Sequence, residues 1–119
     1  MPQHIFFWVG LSCILVHEMD AVRLKEWQMF PILSQMNDEA AYVTFTVIHI
    51  PLYVLLGWAL LGRENETLIL WLNAFFVVHL FLHLLLVRHR YNRFKSLFSW
   101  SVIGVTAVCG LIDFARTLF

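Results

Sequence analysis

Six histidines occur in this 119-residue chain, and four of them, His17, His49, His79 and His83, stand inside apolar runs where an imidazole is out of place. His79 and His83 flank Leu80-Phe81-Leu82. That i, i+4 spacing puts two imidazoles on one face of a helix, within reach of one metal ion. His17-Glu18-Met19-Asp20 adds a third imidazole and, three residues on, a carboxylate on the same face. His49 precedes Ile50-Pro51. Pro51 has no N–H for the carbonyl of Val47, so a kink there would free an acceptor able to orient a ligand histidine. Three or four imidazole nitrogens with one carboxylate make a donor set for zinc or iron, and imidazole does not choose between them. The expected ligands are His17, Asp20, His49, His79 and His83, with Asp20, His49 and Glu18 as the groups for proton transfer. A plainer reading stands beside this one. His-x3-His arises by chance in histidine-rich helices, and intramembrane histidines also hydrogen-bond across bundles. Glu18 lies about 100° round the helix from His17, towards a neighbouring seam or the headgroups.

The solvent of these residues follows from composition. Hydrophobic residues make up 61% of the chain and charged ones 13%, with mean hydropathy +0.75. Soluble domains are about 45–50% apolar and about 25% charged. A globule this small could not hide so much apolar surface, so the chain is expected in a membrane. Four stretches approach the roughly 20 apolar residues that a span needs: residues 5–22, 41–62, 67–87 and 96–118. The expected fold is all-α, one polytopic domain over residues 1–119, folded as an up-down four-helix bundle. Residues 23–40 mix Trp27, Met29, Phe30, Ile32, Leu33 and Met36 with charges and are expected to lie at the membrane surface, the acid of Glu26 exposed and Trp27 in the interfacial belt. The first apolar run lacks a cationic n-region and a small-residue cleavage site, and reads as a retained helix.

Arg23 and Lys25 flank the first connection, and Arg88, Arg90, Arg93 and Lys95 the third, against Arg63 and Arg116 on the other side. The positive-inside rule then places both termini outside. Trp8, Trp58 and Trp71 fall near the outer ends, and Trp27 and Trp100 near the inner ends. Zero net charge provides no field for nucleic acid, and none is expected as a partner. Cys13 and Cys109 lie in apolar runs and predict no disulfide framework.

Each span carries one polar seam: Cys13, His17 and Asp20; Tyr42, Thr46, His49 and Tyr53; His79 and His83; Ser99, Thr106 and Asp113. In a bundle these seams would meet at the axis. Counted from the inner ends at about 1.5 Å per residue, His17 and His83 lie roughly 6–8 Å deep and His49 and His79 roughly 12–13 Å deep, one slab on the cytoplasmic side. Asp113, at the other end, is expected to pair with Arg116 and Arg63, while His4 and His89 are expected in solvent.

The segment His17-Glu18-Met19-Asp20-Ala21-Val22, Glu26-Trp27, His49-Ile50-Pro51-Leu52 and His79-x3-His83 together resemble a family of small bacterial membrane proteins, similar in style to the group named for its His-x-x-Glu-Glu motif. The resemblance implies a four-helix integral protein of the bacterial inner membrane and no set activity; Asp20 stands where that group has paired glutamates. In arrangement alone, His17, His79, His83 and Asp20 are similar to the zinc set of membrane hydrolases of the alkaline ceramidase and adiponectin-receptor type. Those proteins have about seven spans.

These residues predict a membrane-embedded, zinc- or iron-dependent enzyme, a hydrolase or an oxidoreductase, acting on a lipid-like or amphiphilic substrate from the cytoplasmic side. Two other classes remain open. One is a haem electron-transfer protein with His49 facing His79 or His83. The other is a proton- or metal-relaying transporter or accessory subunit without catalysis. Membrane lipid is the expected partner, with a homo-oligomer or a partner subunit completing a pathway.

Overall fold

A backbone that crosses hydrocarbon must satisfy its own hydrogen bonds, which for an open chain means helix. A computed structural model describes residues 3–61 and 65–119, and these are helical, with no strand among them. The long helices are α1 (Ile5–Arg23), α2 (Asp38–Leu61), α3 (Glu66–Leu85) and α4 (Leu97–Leu118). Each is long and apolar enough to cross a membrane. Short polar side chains set the starts. Asn65 Oδ1 accepts from the Leu68 N–H at 3.0 Å, and Ser96 Oγ accepts from the Ser99 N–H at 3.0 Å, each satisfying a donor that the first turn leaves free. Asn37 Oδ1 accepts from the Ala40 N–H at 2.8 Å. Asp38 and Glu39 follow it at the positive end of the helix dipole. This is why α2 begins earlier than its apolar run.

The helices are not four equivalent rods around one axis. α4 packs along both α1 and α3, which touch each other less, and α2 packs mainly through its first turns against the connection before it. Two glycines make the core tight. A Cβ on Gly110 of α4 would stand 2.8 Å from the Asn73 carbonyl oxygen and 2.9 Å from Phe76 Cβ on α3. A Cβ on Gly10 of α1 would stand 3.2 Å from both Phe76 and Cys109. Small residues of this kind let membrane helices approach closely enough for dispersion contacts, since lipid supplies no hydrophobic drive between helices. By contrast α2 buries only Ala41 and Phe45. Its Val47, Ile48, Val54, Leu55 and Trp58 face outward, a costly surface in water and an ordinary one in hydrocarbon.

The connection between α1 and α2 departs most from expectation. Its first half turns inward against the helices, while Ile32 and Met36 stay exposed. Lys25 takes a left-handed conformation (φ 54°), reversing the chain into two 3₁₀ turns, Glu26–Met29 and Leu33–Gln35. Trp27 and Met29 are buried with Ala21, Ala41, Phe45, Phe94 and Ile103, closing the end of the molecule that carries the basic residues. Trp27 Nε1 donates to Asp38 Oδ1 at 3.0 Å, and Lys25 Nζ lies 3.0 Å from Asp38 Oδ2. The indole is thus a core residue tied to the start of α2, and Glu26, expected in solvent, is buried beside it.

Candidate metal centre

Inside this basic end, α1, α3 and the first 3₁₀ turn bring four potential ligands together. His17, Glu26, His79 and His83 are all buried, and one donor atom from each lies within 4.8 Å of all the others. The i, i+4 pair on α3 supplies two imidazoles side by side, their ring centroids 4.6 Å apart. His17 on α1 meets them edge to face, at 4.5 Å from His79 and 4.9 Å from His83. Glu26 Oε1 reaches in from the turn, 3.4 Å from His83 Nε2 and 4.0 Å from His17 Nε2. A tetrahedral ion with ligands at about 2.0–2.1 Å holds its donors roughly 3.3 Å apart. The His83–Glu26 separation already has that spacing, and the wider ones, up to 4.8 Å, must close by as much as about 1.5 Å.

What the nitrogens lack is as informative as where they lie. His17 Nδ1, His17 Nε2 and His79 Nδ1 are buried without a hydrogen-bond partner. An unpaired buried polar group costs about 1–3 kcal/mol, so three in one cluster form a strained arrangement unless something binds them. Glu26 is likewise a buried carboxylate whose only ion-pair partners among the described residues are these imidazoles. Phe94, fully buried, packs on His17 (5.3 Å) and His83 (4.7 Å) and screens the cluster from water at the third connection.

Three of the expected ligands, His17, His79 and His83, are brought together; two are not. Asp20 faces α4 and the helix end. Its Oδ1 accepts from Arg23 Nε at 3.1 Å and Nη2 at 2.9 Å, and its Oδ2 accepts from Ser99 Oγ, so both oxygens are engaged. His49, on the outlying α2, pairs through Nε2 with Glu18 Oε2 at 2.7 Å. Its Nδ1–H donates to the Phe45 carbonyl at 2.7 Å, so the orienting acceptor is one helical turn back and is not the Val47 carbonyl freed by Pro51. With Nδ1 committed as donor, one proton is shared between Nε2 and the Glu18 carboxylate. The α2 seam does not reach the axis either: Tyr42, Thr46 and Tyr53 are exposed.

At the opposite end Asp113 is fully buried and accepts from Asn73 Nδ2 at 2.7 Å and from His4 Nδ1 at 3.0 Å. Its expected partner Arg116 lies instead over the Phe6 ring at 5.5 Å, and Arg63 lies outside the described residues. His4 is accordingly a mostly buried structural residue. Glu26 is the clustered donor that spacing alone missed. Its signal was the neighbourhood: a connection holding Trp27, Met29, Phe30, Ile32 and Leu33 is too apolar to float in headgroups, and an acid inside it must be carried inward.

Residues 3–118 match the family described as "Family of unknown function (DUF6713)". The chain belongs to DUF6713. Comparison with curated proteins and with solved structures finds no match. Membership of DUF6713 assigns no chemistry, and the expected likeness to the His-x-x-Glu-Glu group is not shown by the family match.

Proposed function

We propose that this DUF6713 member is an integral membrane protein that holds one zinc or iron ion between His17, Glu26, His79 and His83, and that it uses the ion in an enzymatic reaction on a lipid-like substrate. The observation that carries the reading is the set of buried, unpartnered imidazole nitrogens converging with a carboxylate within 4.8 Å. Zinc would supply Lewis acidity for a hydrolysis, and iron would supply redox chemistry at a hydrocarbon position. The protein's own part is to fix the donors, exclude water through Phe94, and keep a transferable proton on the Glu18–His49 pair beside the site. Asp20 holds α1 against α4 and is left out of the donor set. The edge-to-face packing of the three imidazoles favours an ion over a haem plane. The positive-inside pattern favours a cytoplasmic site with both termini outside, in a bacterial inner membrane on the motif resemblance. The outward apolar face of α2 is where lipid, a second copy or a partner subunit would pack.

Elemental analysis of detergent-purified protein tests the reading, read beside its visible spectrum and a His79→Ala/His83→Ala variant. Near-stoichiometric zinc or iron that disappears in the folded variant supports it. A metal-free protein leaves the histidines as a proton or hydrogen-bond network, and a Soret band moves the assignment to haem.

A further inference from the structure

The loose attachment of α2 leaves a cleft between α1 and α2. Its larger part, about 500 Å³, is walled by Trp8, Leu11 and Leu15 of α1 and by Leu56, Gly57 and Leu60 of α2. A second cavity of about 300 Å³ shares Met19 and Tyr53 with it and contains Glu18, Thr46 and His49. The two form one slot, apolar along most of its length and polar at one end. From the geometry of this slot we infer that it binds a single-chain amphiphile with an uncharged, hydroxyl-bearing head, such as a monoacylglycerol or a long-chain alcohol, with the chain between α1 and α2 and the head at Glu18–His49.

Length, charge and an open position each support that occupant. Trp8 and Met19 stand 11 residues apart, about 16 Å at 1.5 Å per residue. That is about half of a hydrocarbon core roughly 30 Å thick, the depth of one leaflet and so of one acyl chain. The polar end is lined by no Lys or Arg. The Glu18–His49 pair, with its one shared proton, carries no net charge, so a phosphate or carboxylate head would enter the slot without a counter-charge, whereas a hydroxyl can donate to the Glu18 carboxylate and accept from Thr46 or Tyr53. Gly57 is the open position. A Cβ built on it meets no atom within 4 Å, although it lines the slot, so the missing side chain leaves room that nothing in the protein fills. The inference deepens the lipid-like substrate of the proposed function; the binding itself does not depend on the metal.

The test uses the full-length protein in nanodiscs with a monoacylglycerol carrying a mid-chain diazirine, and maps the photolabelled residues by mass spectrometry. Labelling is expected to concentrate on Leu11, Leu15, Leu56 and Leu60. Unlabelled monoacylglycerol should compete at least tenfold better than a lysophosphatidic acid or a fatty acid of equal chain length. Gly57→Leu should lower labelling at least tenfold while its metal content stays that of the wild type. Glu18→Gln should keep the chain but lose the discrimination between heads. Labelling spread evenly over outward residues such as Val54 and Phe81 would mean annular lipid only and would overturn the inference. So would crosslinks showing that a second copy fills the slot. The His79→Ala/His83→Ala variant separates the two readings: slot labelling that persists without bound metal keeps this one whatever becomes of the metal centre.

Discussion

The sharpest contrast is between the two carboxylates near the cluster, Asp20 and Glu26. Spacing favours Asp20 as the ligand; the fold supplies Glu26. Glu26 Oε1 lies 3.4 Å from His83 Nε2 and 4.0 Å from His17 Nε2, in a buried position with no Lys or Arg paired to it among the described residues. An ion seated among these donors would sit within bonding reach of it. Two unit charges 4 Å apart at an effective dielectric of about 20 interact by about 4 kcal/mol. A divalent ion closer in gains more, and desolvation takes part of that back. Glu26→Gln, which keeps the shape and removes the charge, is then expected to cost about 3–4 kcal/mol of binding, a loss of several hundredfold in affinity. Asp20→Asn is expected to change the affinity by less than about threefold, because the Asp20 charge is already met by Arg23 at 2.9 Å and by Ser99. Stability of the metal-free protein should move the other way. Without an ion Glu26 is a buried charge in poor company, so Glu26→Gln should leave the chelated protein as stable as the wild type or more so. The assay is a zinc titration against a competing chelator, beside thermal unfolding in excess chelator. Equal losses from both substitutions, or an affinity within threefold of wild type for Glu26→Gln, would refute the assignment of Glu26.

Further outcomes follow from the packing. Gly110→Ala drives a Cβ into the Asn73 carbonyl and Phe76, and should destabilise the protein by about 1–3 kcal/mol in reversible unfolding. Gly104→Ala, whose Cβ meets nothing within 4 Å, should be neutral or stabilise by up to about 1 kcal/mol. Asp113→Ala leaves Asn73 and His4 without their shared acceptor. It is expected to cost about 2–5 kcal/mol of stability with metal stoichiometry unchanged, since it acts at the far end. Phe94→Ala should lose about 3–5 kcal/mol and, by admitting water to the histidines, speed removal of the ion by chelator. Unchanged release kinetics in a folded variant would count against Phe94 as the seal.

The four long apolar helices and three of the four clustered donors could be read from the chain because each depends on local periodicity. A helix crossing lipid satisfies its backbone alone, and His79-x3-His83 is one turn of such a helix whatever surrounds it. What could not be read is set by how helices meet. The polar seam of α2 runs along one helical face as those of its neighbours do, yet with only Ala41 and Phe45 buried that helix never reaches the axis, and His49 finds Glu18 instead of the cluster. Glu26 was hidden for a related reason. Its place depends on one left-handed residue, Lys25, turning a surface-like segment inward, and φ at a lysine has no signature in periodicity. Asp20 shows the converse. Being on the right face of α1 did not decide its partner, because Arg23 and Ser99 were nearer claims on both of its oxygens.

The dipeptide His17-Glu18 then has a consequence for how the two sites relate. Consecutive helical residues point about 100° apart, so one turn of α1 sends an imidazole into the three-helix core and a carboxylate into the cleft shared with α2. The proposed ion would lie within a buried side-chain cluster packed by Phe94, while the proposed lipid head would lie in a slot open to hydrocarbon. They are as near to each other as adjacent residues permit, with the wall between them one residue thick at that turn. A site that must keep water from a metal and still admit a membrane-dissolved molecule has to divide these tasks between two faces of one helix. Removing the Glu18 carboxylate takes away the one acid that lines the slot while leaving His17 in place. A Glu18→Met variant is therefore expected to retain metal and lose head-group discrimination, with metal content and slot photolabelling as the paired readouts. Loss of both together would show that the carboxylate serves the ion directly and that the two faces are not separate.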